Sequence, residues 1–266
     1  MNRLTTQLPR ATVALLLIFL AVVLMRGQSE TTQLLIASSV FMFGCCWASA
    51  AHLLGARPAL NFVLIGVTVG YITEELGSQF GWFFGEYDYT RVLGPELGTV
   101  PMVIPLMWFA LTYVAYVISN LIVWQKPSDG TVSLTNSVVM SLLAAMIVTA
   151  YDLGADPYMV YVLKAWIMVK TDGWWFGETL QGFFGWMFTS FVIVFLFRLT
   201  LLKYPAKSML PVTRRHILVP LVIYGGNMAF QMAFGYPVET RTIAFFAMGI
   251  PLLTALCGFV RWQAPE

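Results

Sequence analysis

The chain has 266 residues, 59% of them hydrophobic and only 11% charged, with a formal net charge of +2. A soluble domain carries roughly 25% charged residues, so this composition excludes one and describes an integral membrane protein whose surroundings are the lipid bilayer. No basic run is present to bind nucleic acid.

Eight apolar runs lie over about residues 11–26, 32–55, 58–77, 101–125, 133–155, 181–202, 216–235 and 242–260. Each approaches the ~20 residues needed to cross a bilayer. The expected fold is all-α, a polytopic membrane helical bundle of about eight transmembrane spans, with seven as the alternative. It forms a single integral membrane domain over 1–266. The first run lies between Arg10 and Arg26 and is followed by no small-residue cleavage site, so it reads as a short first span rather than a signal peptide. Short links such as Lys126-Pro127-Ser128-Asp129-Gly130 leave no room for a soluble domain.

With the N-terminus cytoplasmic, Arg3, Arg10, Arg57, Lys126, Lys203, Lys207, Arg214, Arg215 and Arg261 fall inside. Arg26, Arg91, Lys164, Lys170 and Arg241 fall outside. That bias follows the positive-inside rule, and a seven-span reading breaks it. A plasma (cell inner) membrane is the expected location. Cys45, Cys46 and Cys257 all lie inside apolar runs without disulfide or metal spacing and read as packing residues.

The third span carries Gly66, Gly70, Thr73 and Gly77 on one narrow face, the kind along which helices approach closely. Glu74 flanks this face and Glu75 points away from it, so Glu74 is the intramembrane acid expected to face the bundle interior. Beyond it, the stretch up to Trp108 is rich in acids, aromatics and glycine. Its turn Gly81-Trp82-Phe83-Phe84-Gly85-Glu86 recurs as Gly173-Trp174-Trp175-Phe176-Gly177-Glu178, with one difference in six positions. The expected topology puts both turns on the outer face. They read either as interfacial aromatic belts or as two turns folding back to line one shared pocket.

The fifth span ends Tyr151-Asp152-Leu153-Gly154-Ala155-Asp156-Pro157, with Pro157 expected to stop the helix. Asp152 and Asp156, four apart, share a face that continues back through Ala145 and Ser141. Two acids so placed, partly removed from water, set a proton donor beside an acceptor. His52 and His216 are too few and too scattered for a metal site. Asn227 and Gln231, four apart in the seventh span, suit interhelical hydrogen bonds. Nucleotide-binding glycine loops, nucleophile elbows and HExxH motifs are absent. Neither a cofactor nor a metal is expected.

Acids surrounded by Trp, Phe and Tyr at a membrane face suit proton-initiated chemistry on a lipid-soluble substrate. A general acid protonates an alkene, and aromatic faces stabilise the resulting cation. From the residues alone, a membrane enzyme and a proton-coupled carrier both remain open, because intramembrane acids serve either.

Several motifs narrow this. Gly70-Tyr71-Ile72-Thr73-Glu74-Glu75-Leu76-Gly77, Phe84-Gly85-Glu86-Tyr87-Asp88-Tyr89, Leu93-Gly94-Pro95 and the run from Val100 to Trp108 form one block. Asp152-Leu153-Gly154-Ala155-Asp156-Pro157, Trp174 to Gly177 and Phe183-Phe184-Gly185-Trp186 form a second. Together they resemble the carotenoid hydratase family of the CruF or bisanhydrobacterioruberin hydratase type, over roughly residues 66 to 190. The sequence departs where that family is expected to carry a proline and an asparagine, having Glu178-Thr179-Leu180-Gln181-Gly182 instead.

The resemblance implies a carotenoid biosynthesis enzyme, a hydro-lyase that adds water to the terminal double bond of an acyclic carotenoid such as lycopene. It also implies association with other enzymes of that pathway. Asp152 or Asp156 first, and Glu74 second, are the expected catalytic acids. Trp82, Tyr87, Asp88, Tyr89, Trp108, Trp174, Trp175 and Trp186 are expected to bind the substrate, with Tyr87 and Tyr89 ordering the attacking water. A carotenoid cyclase uses the same first step, so it stands as the rival, beside a carrier or a carotenoid-binding protein.

Overall fold

In the computed structural model, which describes residues 3–128, 133–208 and 211–263 and side chains from residue 7, each apolar run is a helix. Asp129 and Gly130 of the link after the fourth span, and the side chain of Arg3, lie outside the described residues. The helices are α1 (Arg3–Arg26), α2 (Thr32–Leu54), α3 (Ala56–Phe80), α4 (Val103–Trp124), α5 (Leu134–Tyr158), α6 (Leu180–Lys203), α7 (Arg214–Phe234) and α8 (Glu239–Arg261). All 8 are long and apolar enough to cross a membrane, so the protein is an all-α polytopic bundle with eight spans rather than seven.

Helix α4 forms the axis. Its residues from Trp108 to Leu121 are buried without a break, and it packs against α2, α3, α5, α6, α7 and α8. Glycine lets α3 approach it closely. A Cβ at Gly66 would stand 2.8 Å from the Phe109 Cα, and one at Gly70 would stand 2.7 Å from the Trp108 Cβ. Such small-residue contacts substitute for the hydrophobic drive that lipid does not supply. Phe62 of α3 stacks on Phe197 of α6 with ring centroids 3.9 Å apart beside this seam.

Two helix ends differ from the sequence expectation. Helix α3 continues past its glutamates to Phe80, where Gly81 takes the left-handed conformation (φ 66°) that closes the helix. Helix α5 is not stopped by Pro157 but runs through it to Tyr158, and a π-helical turn, Met159–Leu163, follows. The physical reason lies outside the helix. Proline removes the N–H that would bond the carbonyl four residues back, that of Leu153. The indole Nε1 of Trp175 donates to the Leu153 carbonyl oxygen at 3.0 Å instead.

The two long connections meet at one end of the bundle. Strand β1 (Tyr87–Tyr89) pairs antiparallel with β4 (Trp166–Met168), setting Tyr87 opposite Met168 and Tyr89 opposite Trp166. Strands β2 (Glu96–Leu97) and β3 (Val100–Pro101) form a tight hairpin within the first connection. Glu75 anchors that hairpin, accepting from both the backbone N–H and the hydroxyl of Thr99 at 3.0 Å.

Three smaller expectations are refined. Cys45 and Cys46 are buried, whereas Cys257 is exposed on the side of the bundle and packs no core. His52 and His216 are not scattered: the ends of α2 and α7 bring their rings to 4.1 Å. Gln231 ties α7 to α5 by donating to the Tyr151 carbonyl at 3.0 Å.

Candidate active site

A cavity of about 250 Å³ opens where α3, α4, α5 and the two long connections converge. Glu74, Asp152, Asp156 and Glu178 all line it, together with Phe84, Tyr87, Tyr89, Trp108, Trp166 and Trp186. Helical phase explains the first three. Glu74 sits beside the glycine face that α3 turns to α4, and Asp152 and Asp156 are one turn apart on the inner face of α5. Glu74, Asp152 and Asp156 are each buried.

Glu74 is saturated with donors. Its Oε2 accepts from the hydroxyls of Tyr87 at 2.5 Å and Tyr89 at 2.7 Å, and its Oε1 accepts from the indole N–H of Trp108 at 2.8 Å. That donor set suits an ionised carboxylate, which is an acceptor at both oxygens. Strand alternation places the two tyrosines there, since residues two apart on β1 share a face. Burial first, and then the charge of Glu74, push both tyrosine hydroxyls well above their usual pKa, so they remain donors.

The same alternation corrects one expectation. Asp88, between the tyrosines, points to the opposite face of the ribbon, is exposed, and does not line the cavity.

Asp152 is the opposite case. It is fully buried, and neither carboxyl oxygen has a hydrogen-bond partner among the described residues. Asp156 accepts from the Trp166 indole N–H at 3.0 Å, and its carboxyl neighbours that of Glu178 on the cavity wall. Two neighbouring buried carboxyl groups resist ionising together, so the pair keeps one proton. Glu178 lies outside the spans; burial first, then the neighbouring charge of Asp156, raise its pKa far above the usual carboxyl range. It therefore keeps a proton at neutral pH and loses it only as the pH rises well beyond that range.

The expected aromatic residues divide. Trp108 and Trp186 line the cavity with ring centroids 4.5 Å apart. Trp82 and Trp174 do not line it; they are 56% and 84% exposed at the end of the bundle. Trp175 does not line it either, its indole being spent on Leu153. The two Gly-Trp turns thus reach the cavity through other residues, Gly81, Phe84, Gly85 and Glu86 from the first and Glu178 from the second. The tyrosine hydroxyls expected to order a water donate to Glu74.

Sequence reasoning passed over Glu178, Trp166 and Arg26. Arg26, at the end of α1, pairs with Glu30 and donates to the Ser38 hydroxyl at 3.2 Å, closing the cavity toward α2. One signal for Glu178 was present: a proline four residues after Leu153 frees a carbonyl, and the neighbouring turn supplied tryptophans to fill it. Among the described residues, no group of three or more His, Cys, Asp or Glu is arranged to hold a metal ion.

The carotenoid biosynthesis protein family matches residues 30–255. The chain belongs to this family. Over 139 residues it is 32% identical to the bisanhydrobacterioruberin hydratase of Haloarcula japonica, a match taking in 52% of this chain and 44% of that one. The chain therefore spans less than half the length of the curated relative it matches. No solved structure matches. The resemblance drawn from the motifs holds at the level of the family, and the four carboxyl groups belong to a carotenoid biosynthesis membrane protein.

Proposed function

We propose that this chain is a carotenoid hydratase that adds water across the terminal double bond of an acyclic carotenoid end group. One observation carries the reading: Asp152, a buried carboxyl without a partner, faces an aromatic cavity whose opposite wall holds a donor-saturated carboxylate, Glu74. An acid with nothing to bond is free to give its proton to a substrate carbon.

Asp152 delivers that proton to the less substituted carbon of the terminal alkene. The tertiary cation forms against the rings of Trp108 and Trp186, whose negative faces attract it. The charge of Glu74, fixed by three donors, is directed at the same place before the reaction begins, and such preorganised charge is effective in a site that excludes water. Asp156 takes the proton released when water captures the cation. Cofactor independence is part of this proposal, because each step uses only carboxyl groups and water.

Orientation belongs to the proposal as well. The bias of Lys and Arg supports a cytoplasmic N-terminus, which puts the cavity mouth on the outer face of the cell membrane.

Expression in cells that accumulate lycopene, with pigments separated and weighed by mass spectrometry, tests the reading. The expected product is heavier by one water. A product of unchanged mass but altered retention means a cyclase, and unaltered lycopene means a carrier or a carotenoid-binding protein.

A further inference from the structure

The hydratase mechanism above leaves Glu178 unused, although it is only 4% exposed and lines the same cavity. Considerable structure holds it there. Its turn is closed by paired backbone bonds between Gly173 and Gly177. It is fastened to α5 by the Trp175 indole on Leu153, and to the π turn by the Tyr161 hydroxyl on the Phe176 carbonyl at 2.6 Å. Gly182 leaves room for its side chain: a Cβ there would stand 2.7 Å from the Glu178 Oε1. Its Oε2 is buried without a partner among the described residues.

We infer that Glu178 is the proton relay of the site, handing the proton that it shares with Asp156 to Asp152 after each turnover. The inference rests on the hydratase reading and supplies a step that reading lacks, since Asp152 must be reloaded. Asp152 and Glu178 line the same cavity, and each has a buried carboxyl oxygen without a partner among the described residues. The balance closes. The Asp152 O–H bond breaks as a C–H bond forms on the alkene, and a C–O bond forms as water captures the cation. Water releases its proton to Asp156; Glu178 passes its own proton to Asp152 and takes the one on Asp156. Every carboxyl returns to its starting state, and the net change is the addition of one water.

Purified full-length protein, assayed with lycopene in detergent, tests this. Glu178→Gln and Glu178→Ala should each lose about 10²-fold in rate, at the lower end of proton-transfer contributions. Formate should restore the Ala variant, whose vacated space admits a small acid, but not the Gln variant. Undiminished activity in Glu178→Gln, or a folded Ala variant indifferent to formate, would overturn the relay. A wild-type chain that forms no hydrated product would instead bring down the hydratase reading itself.

Discussion

The α3 wall and the α5 wall of the cavity both carry carboxyl groups, and they are furnished in opposite ways. On the α3 side, Glu74 receives three hydrogen bonds from Tyr87, Tyr89 and Trp108. On the α5 side, Asp152 receives none, and its neighbour Asp156 stands beside a second buried carboxyl, Glu178. A buried carboxyl surrounded by donors is suited to carry negative charge and so to meet positive charge. One surrounded by apolar and carboxyl groups disfavours its own anion and so keeps a proton in place for the substrate. The difference separates the two halves of an acid-initiated addition before any substrate arrives.

Substitutions that erase the difference should hurt most. Asp152→Asn removes the only carboxyl assigned to protonate the alkene, and a loss of about 10³-fold or more in hydrated product is expected, within the range for general acids. Glu74→Gln should come next, at about 10²-fold, the scale seen when a preorganised electrostatic group is removed. Because the carboxylate also joins α3 to β1 and α4, that variant should melt at a lower temperature as well, which thermal unfolding in detergent would detect. Tyr87→Phe leaves two of the three donors and should cost about 10-fold in rate, matching the loss of one hydrogen bond to a charged group.

Trp175→Phe sharpens the comparison from outside the cavity. It frees the Leu153 carbonyl that Pro157 already deprives of its helical partner, so about 1 kcal/mol of stability should go, together with the placement of Glu178. Glu75→Gln is the smallest effect. Glu75 stands one residue from Glu74 but serves the β2–β3 hairpin, and product formation should stay within about two-fold of the unaltered chain.

Glu74, Asp152 and Asp156 were legible in the sequence because helical phase is local. A glutamate flanking Gly66, Gly70 and Gly77 must face the next helix, and acids four apart must share a side. Eight spans were legible from hydropathy for the same reason. The two Gly-Trp turns were not, although their sequences differ at one position in six. Gly81 caps α3 in the left-handed region and leaves Glu86 exposed at the mouth. Gly173 instead pairs with Gly177 across a bridge that turns Glu178 inward. What the chain packs against decides between these outcomes: a helix end in the first turn, the proline-freed carbonyl of α5 in the second. The tryptophans misled by the same route, since Trp82 and Trp174 occupy matching places in the hexapeptide and both project away from the cavity. Asp88 was misplaced because three residues from Tyr87 to Tyr89 do not announce a strand, and only pairing with β4 fixes their faces.

The most direct measurement of the division between the walls is isotopic. Lycopene would be converted by the purified chain in D₂O and, separately, in water enriched in ¹⁸O, beside the Asp152→Asn variant. The expected product carries one carbon-bound deuterium and one ¹⁸O per reacted end, with neither label in pigment from the variant. Deuterium on carbon without ¹⁸O, or full labelling by the Asp152→Asn variant, would contradict protonation by Asp152 and capture of the cation by water.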